Sequence, residues 1–214
     1  MARQTAISIN TIPIGPLGII GMPGCEELTD KIDKYLVKWR KTQAIEHAES
    51  IAFFGYQRDS YKIDITIPRF GSGEGKGVIN ESVRGYDIYI VCDVFNYSCT
   101  YNMYGKEVCM SPDDHFADLK RVISALCSKP KRVSVIMPML YEGRQHKRSS
   151  RESLDCAMAL KELVHLGVEN IITFDAHDPR VQNAIPLSGF ETVRPTYQFV
   201  KGLLGTVKDL KIDS

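Results

Sequence analysis

The stretch that decides the fold runs from Val133 to Arg151 and reads VSVIMPMLYEGRQHKRSSR. Its first eight residues form an apolar, strand-like run, and a helix-like run begins near Glu152. The loop between them is basic because it contains Arg144, Lys147, Arg148 and Arg151. Ligands in open α/β sheets bind at the carboxyl ends of strands, where guanidinium groups and a following helix N-terminus favour phosphate. The loop therefore predicts a polyanion site, with a solvated basic loop as the alternative.

Outward from this unit, strand-like and helix-like segments alternate along the chain. Apolar runs predict strands over 17–22, 86–95 and 170–175, and an alternating pattern predicts a half-buried strand over 61–67. Helices are predicted from the apolar spacing between Leu28 and Trp39, after the capping pair Ser111-Pro112, and over about 197–204. This order predicts an α/β fold with a mostly parallel sheet flanked by helices.

Composition narrows the classes of function. A chain of 214 residues with 43% apolar content suits one large domain or one and a half small ones. With a net charge of +1, no overall electrostatic field favours nucleic acid or an anionic membrane. No apolar run is long enough to span a bilayer, and the first residues lack the core of a signal peptide. The six cysteines form no Cys-x-x-Cys pair, so the ligand spacing of a zinc site is absent. Scattered thiols without a disulfide framework favour a cytoplasmic protein. Cys92, Cys127 and Cys156 lie in apolar runs and are expected in the core.

A glycine-rich loop from Phe70 to Gly77 has two interpretations. It is not a Walker A loop, since Lys76 is followed by Gly77, and it does not match Gly-x-Gly-x-x-Gly either. As a ligand loop, it would place Phe70 against a flat base and let Glu74 accept from an exocyclic amine. As a hairpin connection, it would place Phe70 in the core.

The segment Asp175-Ala-His177-Asp178 closes a predicted strand. A carboxylate and an imidazole two residues apart can hold a divalent cation or contact its phosphates. The alternative is that Asp178 and Pro179 cap a helix and leave His177 exposed. His146 could pair with a phosphate or a metal, but a single histidine of this kind is typical of the surface.

The motifs are more specific together than alone. In order they are Arg69-Phe-Gly-Ser-Gly-Glu74, Asn80-Glu-Ser-Val-Arg-Gly85, Arg144-Gln145, Ser150-Arg-Glu152 and Asp175-Ala-His177. Over about residues 65–200 this series resembles the N-terminal half of the ribose-phosphate pyrophosphokinases, and the first 60 residues look like those of a divergent bacterial branch. The resemblance implies a type I phosphoribosyltransferase-like fold. It also implies transfer of the diphosphoryl group of ATP to the 1-hydroxyl of ribose 5-phosphate, with Mg²⁺, in a homo-oligomer.

The resemblance also implies roles for individual residues. Phe70 would stack on adenine, and Ser72, Gly73 and Glu74 would form the adenine-side loop, often contributed by a neighbouring subunit. Arg144 and Gln145 would contact ATP, while His177 and Asp175 would lie at the magnesium ion.

Three departures from the family pattern limit this transfer. Ser72 stands where Asp or Asn is usual, the basic loop is one residue shorter, and nothing after His177 resembles the acceptor loop for ribose 5-phosphate. We therefore expect residues 1–214 to form the N-terminal, ATP-side domain, inactive alone, with the catalytic residues in a second domain that this chain lacks. One alternative is a non-catalytic regulatory module that associates with a full-length synthetase. Another is a nucleic-acid-binding domain using 144–151, but the low net charge and the lack of interleaved aromatic residues argue against it.

Overall fold

The computed structural model describes residues 13–46 and 57–207, and its centre is a five-stranded sheet. Every neighbouring pair of strands in this sheet is parallel. In spatial order the strands are β1 (Leu17–Gly21), β4 (Asp87–Val91), β7 (Arg132–Met137), β8 (Asn170–Phe174) and β9 (Gly189–Val193). The predicted α/β fold with a mostly parallel sheet is therefore confirmed.

The predicted strand over 61–67 divides into two parts. Ile19 N donates to Tyr61 O at 2.8 Å and Ile63 N donates to Ile19 O at 2.8 Å, so residues 61–63 extend the sheet beyond β1. Farther on, β2 (Ile65–Thr66) leaves the sheet and pairs with β3 (Val78–Ile79) in an antiparallel hairpin. After β1, the chain first adds residues 61–63 on one side of this strand and then adds β4 on its other side. The carboxyl edge between β1 and β4 is therefore a topological switch point.

Helices cover both faces of the sheet, as its continuous apolar strands require. Helix α1 (Glu26–Glu46) packs on the face that contains Ile19, Val91 and Ile136. Helices α2 (Pro112–Ala125) and α3 (Asp155–His165) pack on the opposite face, against Val135 and Ile171. A last helix, α4 (Thr196–Thr206), follows β9 and has no buried residue.

The predicted start of a helix agrees with the structure where a capping residue is present, at α2, and differs where none is present, at α3. The Ser111 side chain accepts from Asp114 N and the Asp114 side chain accepts from Ser111 N, so α2 begins with a capping box. The helix start predicted at Ser111-Pro112 is confirmed. Helix α3 begins at Asp155 and not near Glu152, and its N-cap residue Leu154 makes no side-chain capping bond.

Several features were not predicted. These are strand β9 and a hairpin of β5 (Thr100–Met103) and β6 (Lys106–Cys109), whereas the 3-10 helix Pro179–Ala184 begins where one interpretation of Asp178-Pro179 placed a helix. Cys92 and Cys156 are buried as expected, whereas the prediction for Cys127 was wrong: it is exposed, in a turn after α2, with φ of 52°. Among the described residues, no helix has the length and apolar content needed to cross a membrane.

Candidate functional site

A cleft of about 700 Å³ opens at the carboxyl edge of the sheet. Three of the predicted site residues line it: Arg144 from the loop after β7, and Asp175 and His177 from the loop after β8. The remaining walls are Phe95, Pro112, Pro138, Met139, Leu140, Tyr141, Glu142, Gly143, Phe174 and Ala176. Because β7 and β8 are parallel neighbours, their carboxyl ends bring a cation, a carboxylate and an imidazole together.

Two residues of this cleft have left-handed backbone conformations. Glu142 has φ of 55° and Asp175 has φ of 44°, and neither is glycine. Such residues cost about 1–3 kcal/mol each and persist where the surroundings enforce them, often at functional sites. At Asp175 the enforcing contacts are visible, since Asp175 N donates to Val193 O at 3.0 Å and Ala176 N donates to Thr192 Oγ1 at 2.9 Å.

The acidic wall of the cleft has altered proton affinities. The Tyr141 hydroxyl donates to Asp113 Oδ1 at 2.6 Å, and its ring stacks on Phe116 with centroids 4.3 Å apart. Burial raises the pKa of Tyr141, and the bond to Asp113 adds to the effect. Burial also raises the pKa of Glu142, with further contributions from Asp155 and Asp113.

The basic loop is ordered by its own hydrogen bonds around Glu152. The Glu152 carboxylate accepts from Ser149 Oγ at 2.8 Å and from Ser150 Oγ at 2.9 Å. Gln145 Nε2 donates to Ser153 O at 2.8 Å, so its amide links the loop to the start of α3 and does not line the cleft. No residue of α3 lines the cleft either, so the expected contribution of a helix N-terminus stays a prediction.

The capping role expected of Asp178 is confirmed, while the binding of a cation or its phosphates by Asp175 and His177 stays a prediction. The Asp178 side chain accepts from Arg180 N at 2.9 Å and caps the 3-10 helix, and His177 is exposed while also lining the cleft. Hydrogen bonds from Arg180 hold the pKa of the Asp178 carboxyl well below its usual range. The interpretation of His146 as a surface residue was wrong, because its side chain is only 11% exposed and faces Asp178.

The glycine-rich loop forms the connection between β2 and β3, away from the residues that line the cleft. None of Phe70, Ser72, Gly73 and Glu74 lines it. The hairpin interpretation is confirmed in its backbone, with Phe70 N donating to Glu74 O at 2.8 Å, but Phe70 is 59% exposed and not in the core. Ser72 Oγ donates to Glu74 Oε2 at 2.8 Å, so the Glu74 carboxylate already has a partner.

A buried ion-pair cluster, which the sequence did not reveal, anchors this hairpin to α2. Asp118 is 2% exposed and accepts from Arg69 Nη2 at 2.5 Å and from Arg121 Nη1 at 2.6 Å. Arg69 also donates to Gly73 O at 3.1 Å and lies over the Tyr101 ring, 4.4 Å from its centroid. The glycine-rich loop is therefore held by its flanking arginine.

The donor set bears on what kind of metal ion suits the cleft. Within residues 13–46 and 57–207, no group of three or more His, Cys, Asp or Glu side chains is placed to hold an ion. Asp175 and His177 together offer one carboxylate and one imidazole. Mg²⁺ retains water and phosphate ligands and often takes only one or two protein carboxylates. The residues present thus fit an ion that arrives with a polyphosphate, and do not form a metal cage by themselves.

Comparisons with known proteins give a consistent result. A family model described as the N-terminal domain of ribose phosphate pyrophosphokinase matches residues 17–167. The ribose-phosphate pyrophosphokinase of Aquifex aeolicus is 26% identical over 141 residues, 64% of this chain and 41% of the relative. That of Oceanobacillus iheyensis is 28% identical over 119 residues, 55% of this chain and 33% of the relative. The chain therefore spans less than half the length of these curated relatives.

Among solved structures, the chain is similar to phosphoribosylpyrophosphate synthetase from Mycobacterium smegmatis. The TM-score is 0.63 at 20% sequence identity, and the match covers 88% of this chain and 51% of that one. This structural similarity shows that the chain shares its fold with that synthetase.

Proposed function

The chain belongs to the family of N-terminal domains of ribose phosphate pyrophosphokinases, and from this premise we propose that its cleft binds ATP together with Mg²⁺. The bound nucleotide would donate its diphosphoryl group to the 1-hydroxyl of ribose 5-phosphate. The observation that carries the proposal is that Arg144, Asp175 and His177 line one cleft at the carboxyl edge of the sheet. We further propose that residues 1–214 supply the nucleotide half of the site, and that the acceptor half and the catalytic residues belong to a second domain.

The three cleft residues have distinct tasks in this proposal. The planar guanidinium of Arg144 suits two phosphate oxygens at once. The exposed Asp175 carboxylate and the His177 ring stand on the neighbouring loop, where they would orient the magnesium-bound phosphates. Magnesium, when bound, neutralises charge on the phosphoryl oxygens. Since phosphoryl transfer depends mainly on positioning and charge stabilisation, a site that binds and orients the chain of phosphates provides much of what the donor half needs.

In this proposal, the glycine-rich loop that contacts the nucleotide belongs to another copy of the chain. Phe70 is 59% exposed and does not line the cleft of its own chain. A neighbouring subunit in a homo-oligomer would therefore place its Phe70 on the adenine, with Ser72, Gly73 and Glu74 beside it. The relatives named above are all synthetases, which does not favour the alternative of a regulatory module.

Replacing Arg144 with glutamine is expected to weaken binding of Mg²⁺–ATP by about tenfold, as befits the loss of a charge-assisted hydrogen bond. Inorganic tripolyphosphate should lose affinity to the same degree, because Arg144 faces phosphate and not the base. Isothermal titration calorimetry with each ligand measures both effects. Arg84→Gln is the matched control, since Arg84 is exposed and precedes β4, at the opposite edge of the sheet. Equal affinities of Arg144→Gln and the unmodified chain, or no binding of either ligand at millimolar concentration, would contradict the proposal.

Replacing Phe70 with alanine is expected to weaken ATP binding by about tenfold while leaving tripolyphosphate binding unchanged, because stacking on a base contributes about 1–3 kcal/mol. Tyr35→Ala, which removes another exposed aromatic ring on α1, is the control. If Phe70 comes from a neighbouring subunit, the difference between the two ligands should appear only at protein concentrations where sedimentation shows an oligomer. A Phe70→Ala variant that loses both ligands equally would argue against an adenine contact.

A further inference from the structure

We propose that His146 is a positioning residue that locks the basic loop after β7 to the loop after β8, and so fixes Arg144 relative to His177. The structural part of this inference stands alone. Its consequence for nucleotide binding rests on the function proposed above. His146 does not line the cleft, but it contacts two residues that do.

The first contact of His146 lies within its own loop. Its Nδ1 is 3.1 Å from Arg144 O. A carbonyl oxygen only accepts, so Nδ1 carries the hydrogen in this bond. The bond fixes the backbone of Arg144, which lines the cleft.

The other contacts of His146 cross to the loop after β8. Its Nε2 is 3.4 Å from Asp178 Oδ2, and its ring meets the His177 ring edge to face, with centroids 5.1 Å apart and an interplanar angle of 63°. The side chains of His146 and Asp178 are only 11% and 12% exposed. Both ring nitrogens thus face oxygen atoms that only accept hydrogen bonds, one on each loop, in a place largely shielded from water. The contact with Asp178 is an ion pair when Nε2 also carries a hydrogen.

The Asp178 side chain is held in place by hydrogen bonds from Arg180. Its carboxylate accepts from Arg180 N at 2.9 Å and from Arg180 Nη2 at 2.6 Å. The same loop is tied to β9 by the bonds of Asp175 N and Ala176 N. The basic loop is also held at the start of α3, where Gln145 Nε2 donates to Ser153 O at 2.8 Å and Glu152 accepts from Ser149 and Ser150, but these bonds do not join it to the loop after β8. Without His146, we therefore expect the Arg144 segment to move relative to His177.

Two amide substitutions separate the contact of His146 with Arg144 O from its contact with Asp178. Asparagine places a donor where Nδ1 lies and keeps the bond to Arg144 O, but it is too short to reach Asp178. Glutamine places a donor near the position of Nε2 and keeps the link to Asp178. A lock between loops therefore predicts that His146→Gln behaves nearly as the unmodified chain and that His146→Asn does not.

Hydrogen–deuterium exchange of the full chain tests the lock without any ligand. We expect His146→Asn to speed amide exchange by about tenfold in both 143–149 and 175–181, because it removes the contact with the Asp178 carboxylate and the ring contact with His177. Asp178→Asn, which also weakens the contacts with Arg180, should speed exchange in 143–149 as well as in 175–181, and in 143–149 the double variant should be no faster than either single one. His165→Asn, an exposed histidine on α3, is the control. If His146→Asn does not fold, Asp178→Asn tests the same link from the other loop.

The outcomes separate this inference from the proposed function. Exchange that stays unchanged in His146→Asn, or that rises only in 143–149, would overturn the lock. Equal effects of the asparagine and glutamine variants would overturn it too. Coupled exchange in both segments supports the lock, and a fall in Mg²⁺–ATP affinity that glutamine restores supports its role at the site. Coupled exchange in a chain that binds no ATP would leave the lock in place and reject the proposed function.

Discussion

Replacing Asp118 with alanine is expected to lower the free energy of unfolding by about 3–5 kcal/mol, the usual cost of removing one partner from a buried ion pair. Asp118 is 2% exposed, and the Arg69 side chain, at 11%, is nearly as buried. Without the carboxylate, the largely buried Arg69 guanidinium would lose its ion-pair partner and keep only a weaker electrostatic interaction with Asp114. Arg121, which pairs with the other carboxylate oxygen, would lose its partner as well. Urea unfolding followed by circular dichroism measures the loss through the transition midpoint.

The exposed ion pair between α2 and α3 supplies the control for this prediction. Glu162 accepts from Lys120 at 2.7 Å, with side chains 46% and 31% exposed. Exposed pairs contribute about 0–1 kcal/mol, so Glu162→Ala should change stability little. Asp118→Asn keeps the shape and removes the charge, and it should lose most of the same free energy as Asp118→Ala. An Asp118→Ala variant as stable as Glu162→Ala would show that the cluster does not anchor the hairpin.

The sheet could be predicted because its strands are buried on both faces. Continuous apolar runs marked β1, β4, β7 and β8, and the intervening helical patterns implied parallel pairing. Strand β9 was not predicted because it is an edge strand without a continuous apolar run. Its residues alternate between exposed and half-buried, and Gly189 and Glu191 are among them. The β5–β6 hairpin was also not predicted, because it lies outside the five-stranded sheet and its eight strand residues are mostly polar or exposed.

The candidate site could be predicted only as far as sheet topology determines it. Arg144, Asp175 and His177 follow two strands that proved to be neighbours, so their meeting in one cleft followed from the order of elements. The partners of His146 and Asp118 could not be predicted, because these contacts join residues 32 and 49 positions apart and depend on how loops and helices pack. Gln145 was assigned to ATP by resemblance, whereas its amide in this structure bonds Ser153.

Replacing Gly77 with alanine is expected to destabilise the chain by about 3 kcal/mol, near the upper end for overpacking. A methyl group at this position would lie 2.7 Å from Arg121 O and 2.8 Å from Arg121 C, which belong to the backbone of α2 and cannot rotate away. Gly71→Ala, in the same loop, meets no atom within 4 Å and should stay within about 0.5 kcal/mol of the unmodified chain. Urea midpoints of both variants make the comparison. Equal midpoints would mean that the hairpin does not press against α2, and the glycine at 77 would then need another explanation, such as close approach to a ligand.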